Sequence, residues 1–225
     1  MPSPALIVGL GGTGALVATY VKKNLMETSG GIWPLKEVKM LAFDTDTKQP
    51  EINGQVQIRE VGQSTGTVRL AHGEFFFIGG NVQALTREVA KGNHPHIQSW
   101  LMADWYLRTL SDKIFNLNEG AGQFRQFGRL AVFKNVATPA NSTIYNTLND
   151  ALVKLSRDNP GMTNLQVFVI SSLAGGTGAG MYADVTYLIR KISEQPKPNQ
   201  HAGSVWAVPR SLATTWGMVS FPLGT

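Results

Sequence analysis

Gly9-Leu10-Gly11-Gly12-Thr13-Gly14 stands between an apolar run and a helix-patterned stretch. Glycines there let a ligand approach the main chain, and the start of a helix offers unpaired N–H groups and a positive dipole end. Together these hold phosphate. The spacing also satisfies G-x-G-x-x-G, in which an acidic residue at the end of the next strand holds a ribose hydroxyl. Asp44 and Asp46 are in that place. A tight strand-to-helix turn without a ligand is the plainer alternative.

A second glycine run, Ala174-Gly175-Gly176-Thr177-Gly178-Ala179-Gly180, again follows a buried strand and precedes a helix. A dinucleotide fold has one phosphate loop, so two loops point to one ligand with several phosphates. Thr177 adds a hydroxyl donor. No lysine follows in the pattern G-x-x-x-x-G-K-[ST], which excludes a P-loop NTPase. Backbone dipoles must then balance the phosphate charge. A third stretch, Gly120 to Arg129, is rich in Gly, Gln and Arg. Gly120 and Gly122 free the backbone around Ala121, and Gln123, Arg125 and Arg129 supply side-chain donors. The competing view is a solvated loop with its arginines on the surface.

Other candidates are weaker. His94-Pro95-His96 with His72 has no carboxylate cluster beside it, and the proline prevents helical ligand spacing; a surface turn accounts for it better. Ser171-Ser172 follows a strand, but Leu173-Ala174 breaks the G-x-S-x-G elbow. Phe75-Phe76-Phe77, Trp100, Trp105 and Tyr106 read as core packing, with an interface as the alternative for any exposed part.

These loops need elements to position them. Ala5 to Val8 and Leu165 to Ile170 read as strands buried on both faces, the mark of a parallel sheet. Val38 to Phe43 is a further strand that stops at Asp44. Ala15 to Leu25, Asn141 to Arg157 and the segment up to about Glu194 have helical spacing. The opening strand–helix–strand unit predicts a right-handed crossover. Gln55 to Val61 alternates like an edge strand, and 81–115 is helical in pieces, broken at Gly92 and Pro95. Gly120 to Gly128 reads as loop, Gln195 to Gln200 as a surface linker, and Trp216 to Phe221 as a last strand.

The chain has 225 residues, 43% of them hydrophobic, which is enough for a sizeable core and excludes disorder. Twenty Lys and Arg against 15 Asp and Glu give +5, a mild excess without a basic run. It favours anionic ligands but not a nucleic-acid arm or membrane patch. With no cysteine, disulfides, iron–sulfur clusters and thiol catalysis are excluded, which fits a cytoplasmic chain. No signal peptide opens it, and no apolar stretch is long enough for a membrane span.

The run Ala174 to Gly180 fits the tubulin signature, small-G-G-T-G-small-G. The chain resembles the GTPase domain of the tubulin and FtsZ superfamily, nearest its bacterial tubulin-like branch, from Pro4 to Phe221. Gly9 to Gly14 corresponds to the first phosphate loop, Phe43-Asp44-Thr45-Asp46 to the Asn-Thr-Asp loop of FtsZ, and Gly120 to Arg129 to the γ-phosphate loop. The resemblance implies a three-layer, Rossmann-like α/β sandwich with a mainly parallel sheet over residues 1–225. It implies GTP or GDP as ligand, with Mg2+ near Asp46. Gly11, Gly12, Thr13, Gly14, Asp44, Thr45, Asp46, Gly120, Ala121, Gly122, Gln123, Arg125, Gly175, Gly176, Thr177, Gly178, Ala179 and Gly180 would bind the nucleotide, and no catalytic residue is assigned. It also implies a homo-oligomeric or filament partner, no specific nucleic acid and no membrane insertion. Two departures stand out. FtsZ has Asn at the place of Asp44, and its base-proximal Asn is missing at Ala15-Leu16. The central helix and C-terminal domain of the family are expected to be absent, so GTP turnover would need a second domain or a partner subunit. A Rossmann NAD(P)-dependent oxidoreductase and a non-catalytic nucleotide-binding cap are the competing readings.

Overall fold

A computed structural model describes residues 4–57, 64–137, 139–160, 164–194 and 213–220. The strands are β1 (Ala5–Leu10), β2 (Val38–Asp44), β3 (Ile52–Gln57), β4 (Ser64–Val68), β5 (Phe75–Phe77), β6 (Gly80–Asn81), β7 (Asn116–Leu117), β8 (Leu165–Ser172) and β9 (Ala213–Ser220). The helices are α1 (Gly11–Thr28), α2 (Gln83–Ala90), α3 (Pro95–Gln98), α4 (Ala103–Thr109), α5 (Arg125–Val136), α6 (Thr143–Asp158) and α7 (Thr177–Glu194), with 3-10 turns at Asp112–Phe115 and Pro139–Asn141.

Five strands form the main sheet in the order β5-β2-β1-β8-β9, and every pairing in it is parallel. The chain moves outward from β1 to β2 and β5, then returns to the other side of β1 for β8 and β9. The strand order therefore reverses between β1 and β8. In open α/β sheets, ligands bind in the crevice beyond the carboxyl ends at such a reversal.

Side chains alternate between the two faces of the sheet. Leu6, Val8, Leu10, Leu41, Phe43, Val167 and Val169 join one buried cluster with residues of α5, α6 and α7. Ile7, Met40, Ala42 and Ile170 join a second cluster with Ala15 and Ala18 of α1. The result is a three-layer α/β sandwich. Strands β1, β2 and β8 are apolar on both faces because both are covered, as parallel strands require. Ser142 caps α6, its hydroxyl accepting from Tyr145 N at 3.0 Å. Among the described residues, no helix is long and apolar enough to cross a membrane.

Several elements differ from the sequence reading. Helix α7 starts at Thr177, so half of the second glycine run is its first turn. Helix α5 starts at Arg125 inside the expected loop, because Phe127, Leu130 and Ala131 put one buried stripe against α7. Pro95 opens a helix rather than breaking one, since its missing N–H costs nothing at the first helical position. The alternating stretch after Gln55 is not an edge of the main sheet: β3 pairs antiparallel with β4 in a separate hairpin. Among the described strands the edges of the main sheet are β9 and β5, the latter carrying the three phenylalanines. Residues 58–63, 195–200 and Phe221 lie outside the described residues.

Candidate functional site

Beyond the carboxyl ends of β1, β2 and β8 lies a cleft of about 270 Å3. Leu10, Gly11, Gly12 and Thr13 line it from the β1–α1 junction, and Asp44 and Asp46 from the end of β2. Glu119, Gly120, Ala121 and Gly122 come from the loop before α5, and Ser172 and Gly175 to Gly178 from the β8–α7 junction. All four stretches singled out by sequence thus meet in one place. Thr13 and Thr177 face the same cleft.

The loops are held together by specific bonds. Gly176 N donates to Gly122 O at 2.7 Å, and Gly120 N to Thr45 O at 3.2 Å. Ala121 N donates to Thr177 Oγ1 at 3.2 Å, and the Thr45 and Thr177 hydroxyl oxygens lie 2.6 Å apart. Asp46 forms an antiparallel bridge with Glu119. Gly120 and Gly122 have φ of +88° and +54°, a backbone region that favours glycine and lets the loop fold back over Gly176.

Backbone contact is close wherever the junctions meet. A Cβ on Gly14 would lie 2.4 Å from Ile170 O, and one on Gly178 2.4 Å from Leu10 O. The starts of α1 and α7 therefore approach the strand ends more closely than any side chain allows. No side chain caps α1. Its first N–H groups lack partners within the helix and sit at the positive end of its dipole.

The side chains lining the cleft have the opposite charge. Asp44, Asp46 and Glu119 border it, and among the described residues no Lys or Arg lines it. Asp44 is 2% exposed. Its Oδ1 accepts from Thr45 N at 2.7 Å and Asp46 N at 3.3 Å. Burial pushes its carboxyl up to about 6, with the Asp46 charge adding to the rise and the two N–H bonds opposing it. Asp46 Oδ1 accepts from Lys48 N at 2.8 Å. Among the described residues, no group of three or more His, Asp or Glu is placed to hold a metal ion.

Six of the expected residues stand back from the cleft. Gly14 is packed between Gly9 and Ile170. Thr45 is wholly buried behind Thr177. Ala179 and Gly180 lie inside α7, where Gly180 presses on the Arg125 and Arg129 backbone. Gln123 is exposed, and exposed Arg125 donates to Leu173 O at 2.8 Å. Arg129 is also accounted for elsewhere. It grips Asp184 through Nε at 2.8 Å and Nη2 at 3.2 Å, and stacks 4.5 Å over the Trp100 ring. It joins α5 to α7 and does not reach the cleft. Leu10, Glu119 and Ser172 line the cleft without having been singled out for it; each adjoins or lies near a glycine run, which is the one signal they carry.

The aromatic set divides. Phe76, Trp100 and Tyr106 pack on the main core, whereas Phe77 and Trp105 are exposed. Partly exposed ion pairs contribute about 1 kcal/mol or less, and a cation–π contact adds a similar amount. Arg129→Ala is therefore expected to lower the urea midpoint by the equivalent of about 1 kcal/mol with an unchanged slope. An unaltered midpoint would show that the Asp184 bridge contributes nothing to holding α5 on α7.

Comparison with known proteins gives one family. A family model described as tubulin-like matches residues 6–215. No curated protein matches the chain.

Proposed function

The chain belongs to the tubulin-like family, and from that premise we propose that it binds GTP and GDP, with Mg2+, in the cleft beyond β1, β2 and β8. The observation that carries this reading is the convergence of two glycine junctions on one cleft at the sheet's reversal point. A single phosphate loop would serve a dinucleotide. Two loops facing each other, with a third folded over them, suit a polyphosphate tail.

The amides of Gly11 to Thr13 and of Gly175 to Gly178 hold the phosphates, and the Gly120–Gly122 loop meets the terminal one. With three carboxylates and no basic residue among the described residues of the lining, a cation accompanying the ligand would offset the phosphate charge. Magnesium takes one or two carboxylates plus phosphate oxygens and keeps several waters, so a ready-made cluster is not required. Asp46, with one oxygen committed to Lys48, supplies a carboxylate oxygen to that hydrated ion. Bound there, Mg2+ would offset phosphate charge. Turnover would belong to the assembled form, completed by a partner subunit or a second domain. The nucleotide-binding domain is one unit over residues 1–225, and a second copy of the chain is its expected partner.

Thermal melting with GTP, GDP, ATP and NAD, each with Mg2+ and with EDTA, tests the reading. Ligand at a hundred times its Kd stabilises by about 2.7 kcal/mol, a rise of roughly 5–10 °C for a chain this size. GTP and GDP are expected to give that rise and EDTA to remove it. No rise with GTP and Mg2+, or a rise with NAD alone, overturns the reading.

A further inference from the structure

Two threonine hydroxyls lie in contact beneath the cleft floor. Thr177 lines the cleft and is 7% exposed, whereas Thr45 is fully buried and does not border it. Their oxygens are 2.6 Å apart, and either could be the donor. Thr45 is held on both sides through its backbone. Its N–H donates to Asp44 Oδ1 at 2.7 Å and its carbonyl accepts from Gly120 N at 3.2 Å. Its hydroxyl therefore has a fixed origin.

The direction of the shared hydrogen follows from counting. A hydroxyl has one hydrogen and two acceptor positions. Thr177 Oγ1 already accepts from Ala121 N at 3.2 Å. If Thr177 donates to Thr45, its hydrogen is used up and the cleft meets no donor there. If Thr45 donates to Thr177, both acceptor positions are filled and the Thr177 hydrogen is free. A fully ionised phosphate oxygen can only accept, so it selects the second arrangement. Each donated bond also polarises the next, which strengthens the chain.

We propose that Thr45 is a positioning residue of the cleft: its buried hydroxyl donates to Thr177 Oγ1 and so turns the Thr177 hydrogen toward a bound phosphate. The identity of the anion rests on the nucleotide reading; the order of the two hydroxyls rests only on an anion that accepts from Thr177.

Two substitutions separate this role from packing. Thr45→Val keeps the shape and removes the hydroxyl, while Thr45→Ser keeps the hydroxyl and removes a methyl. A donor role makes Val the damaging change; a packing role makes Ser the damaging one. By calorimetric titration with GTP and Mg2+, Thr45→Val is expected to lose about tenfold in affinity and Thr45→Ser less than about twofold, since an unpaired buried hydrogen-bonding group costs about 1–3 kcal/mol. Amide exchange at Ala121, measured without nucleotide, is expected to quicken in Val and stay near wild type in Ser. Equal affinities for Val and Ser, or a loss confined to Ser, overturn the proposal while the nucleotide reading survives. An unaltered protein that fails to bind GTP removes the nucleotide reading; the hydroxyl order then stands only if titration with inorganic pyrophosphate and Mg2+ shows the same loss in Val and not in Ser, and it falls if the two variants bind pyrophosphate equally. If Thr45→Val does not fold, Thr45→Ala against Thr45→Ser makes the same comparison, because that pair differs by the hydroxyl oxygen alone.

Discussion

Gly178→Ala is expected to destabilise the protein by about 3 kcal/mol or more, whereas Gly175→Ala, three residues earlier in the same cleft wall, should stay within about 1 kcal/mol of wild type. A Cβ on Gly178 would stand 2.4 Å from Leu10 O and 2.6 Å from Ser171 Oγ. Ser171 could rotate away. Leu10 O could not, because it ends a strand paired on both sides, with β2 and with β8. Relief would require α7 to lift off the sheet, which opens the contact that brings the two glycine junctions together. The same point is tight from the other side, since a Cβ on Gly11 would lie 2.8 Å from Gly178 N. Around Gly175 nothing lies within 4 Å of an added Cβ, so only the space of the cleft is taken. On melting, the gap between the two variants should be roughly 6–12 °C. The Gly175 variant should remain folded yet lose ligand, its methyl standing where a phosphate would sit. Equal melting temperatures would mean that α1 and α7 do not meet at Leu10 and Gly178.

Which parts of this arrangement could be read beforehand follows from what each residue type reports. Ala5–Val8 and Leu165–Ile170 announced themselves because strands buried on both faces need unbroken apolar runs. The glycine runs announced the junctions because little else justifies so many glycines between a strand and a helix. Helix starts within those runs were invisible. Glycine is a poor helix former, so nothing in local propensity marks Gly11, whose φ is +68°, or Thr177 as the place where a helix begins. Arg125 was misjudged for a related reason. The surrounding Gly, Gln and Arg read as loop, although Phe127, Leu130 and Ala131 mark a buried stripe once the partner helix is known. Arginine and phosphate are natural partners, so Arg125 was expected in the cleft and Arg129 was offered as a further donor. Tertiary structure instead gives one to Leu173 O and the other to Asp184. Thr45 was named as a nucleotide contact, yet it lies buried behind Thr177 and does not border the cleft, and no spacing rule separates a residue in a cleft wall from one behind it. The separate β3–β4 hairpin could not be told from a sheet edge, because alternation records one covered face and not which strand lies alongside.

Asp44→Asn should stabilise the nucleotide-free protein, and the size of the gain should depend on pH. The Asp44 carboxyl is raised from 3.8 to about 6, chiefly by burial. A raised carboxyl binds its proton more tightly in the folded than in the unfolded chain. Between about pH 4 and 6 the folded state therefore holds more protons, and stability falls as pH rises through that window. Above it the full penalty remains, about 3 kcal/mol for a shift of this size. Below it the carboxyl is neutral in both states and costs nothing. Asn carries no charge at any of these pH values, and its Oδ1 can still accept from Thr45 N and Asp46 N. The melting advantage of the variant is expected to be near zero at pH 4 and roughly 6–12 °C at pH 7.5, measured in EDTA to keep divalent cations away. A uniform advantage at both pH values would mean that charge burial is not its source, and a loss at pH 7.5 would mean that the ionised carboxylate is better held than its burial implies. The expected result has a consequence for the site. At neutral pH the ligand-free cleft keeps a buried negative charge beside Asp46 and Glu119, a cost that an incoming cation relieves. Cation and polyphosphate should then bind more tightly together than either does alone, because each removes the charge that opposes the other.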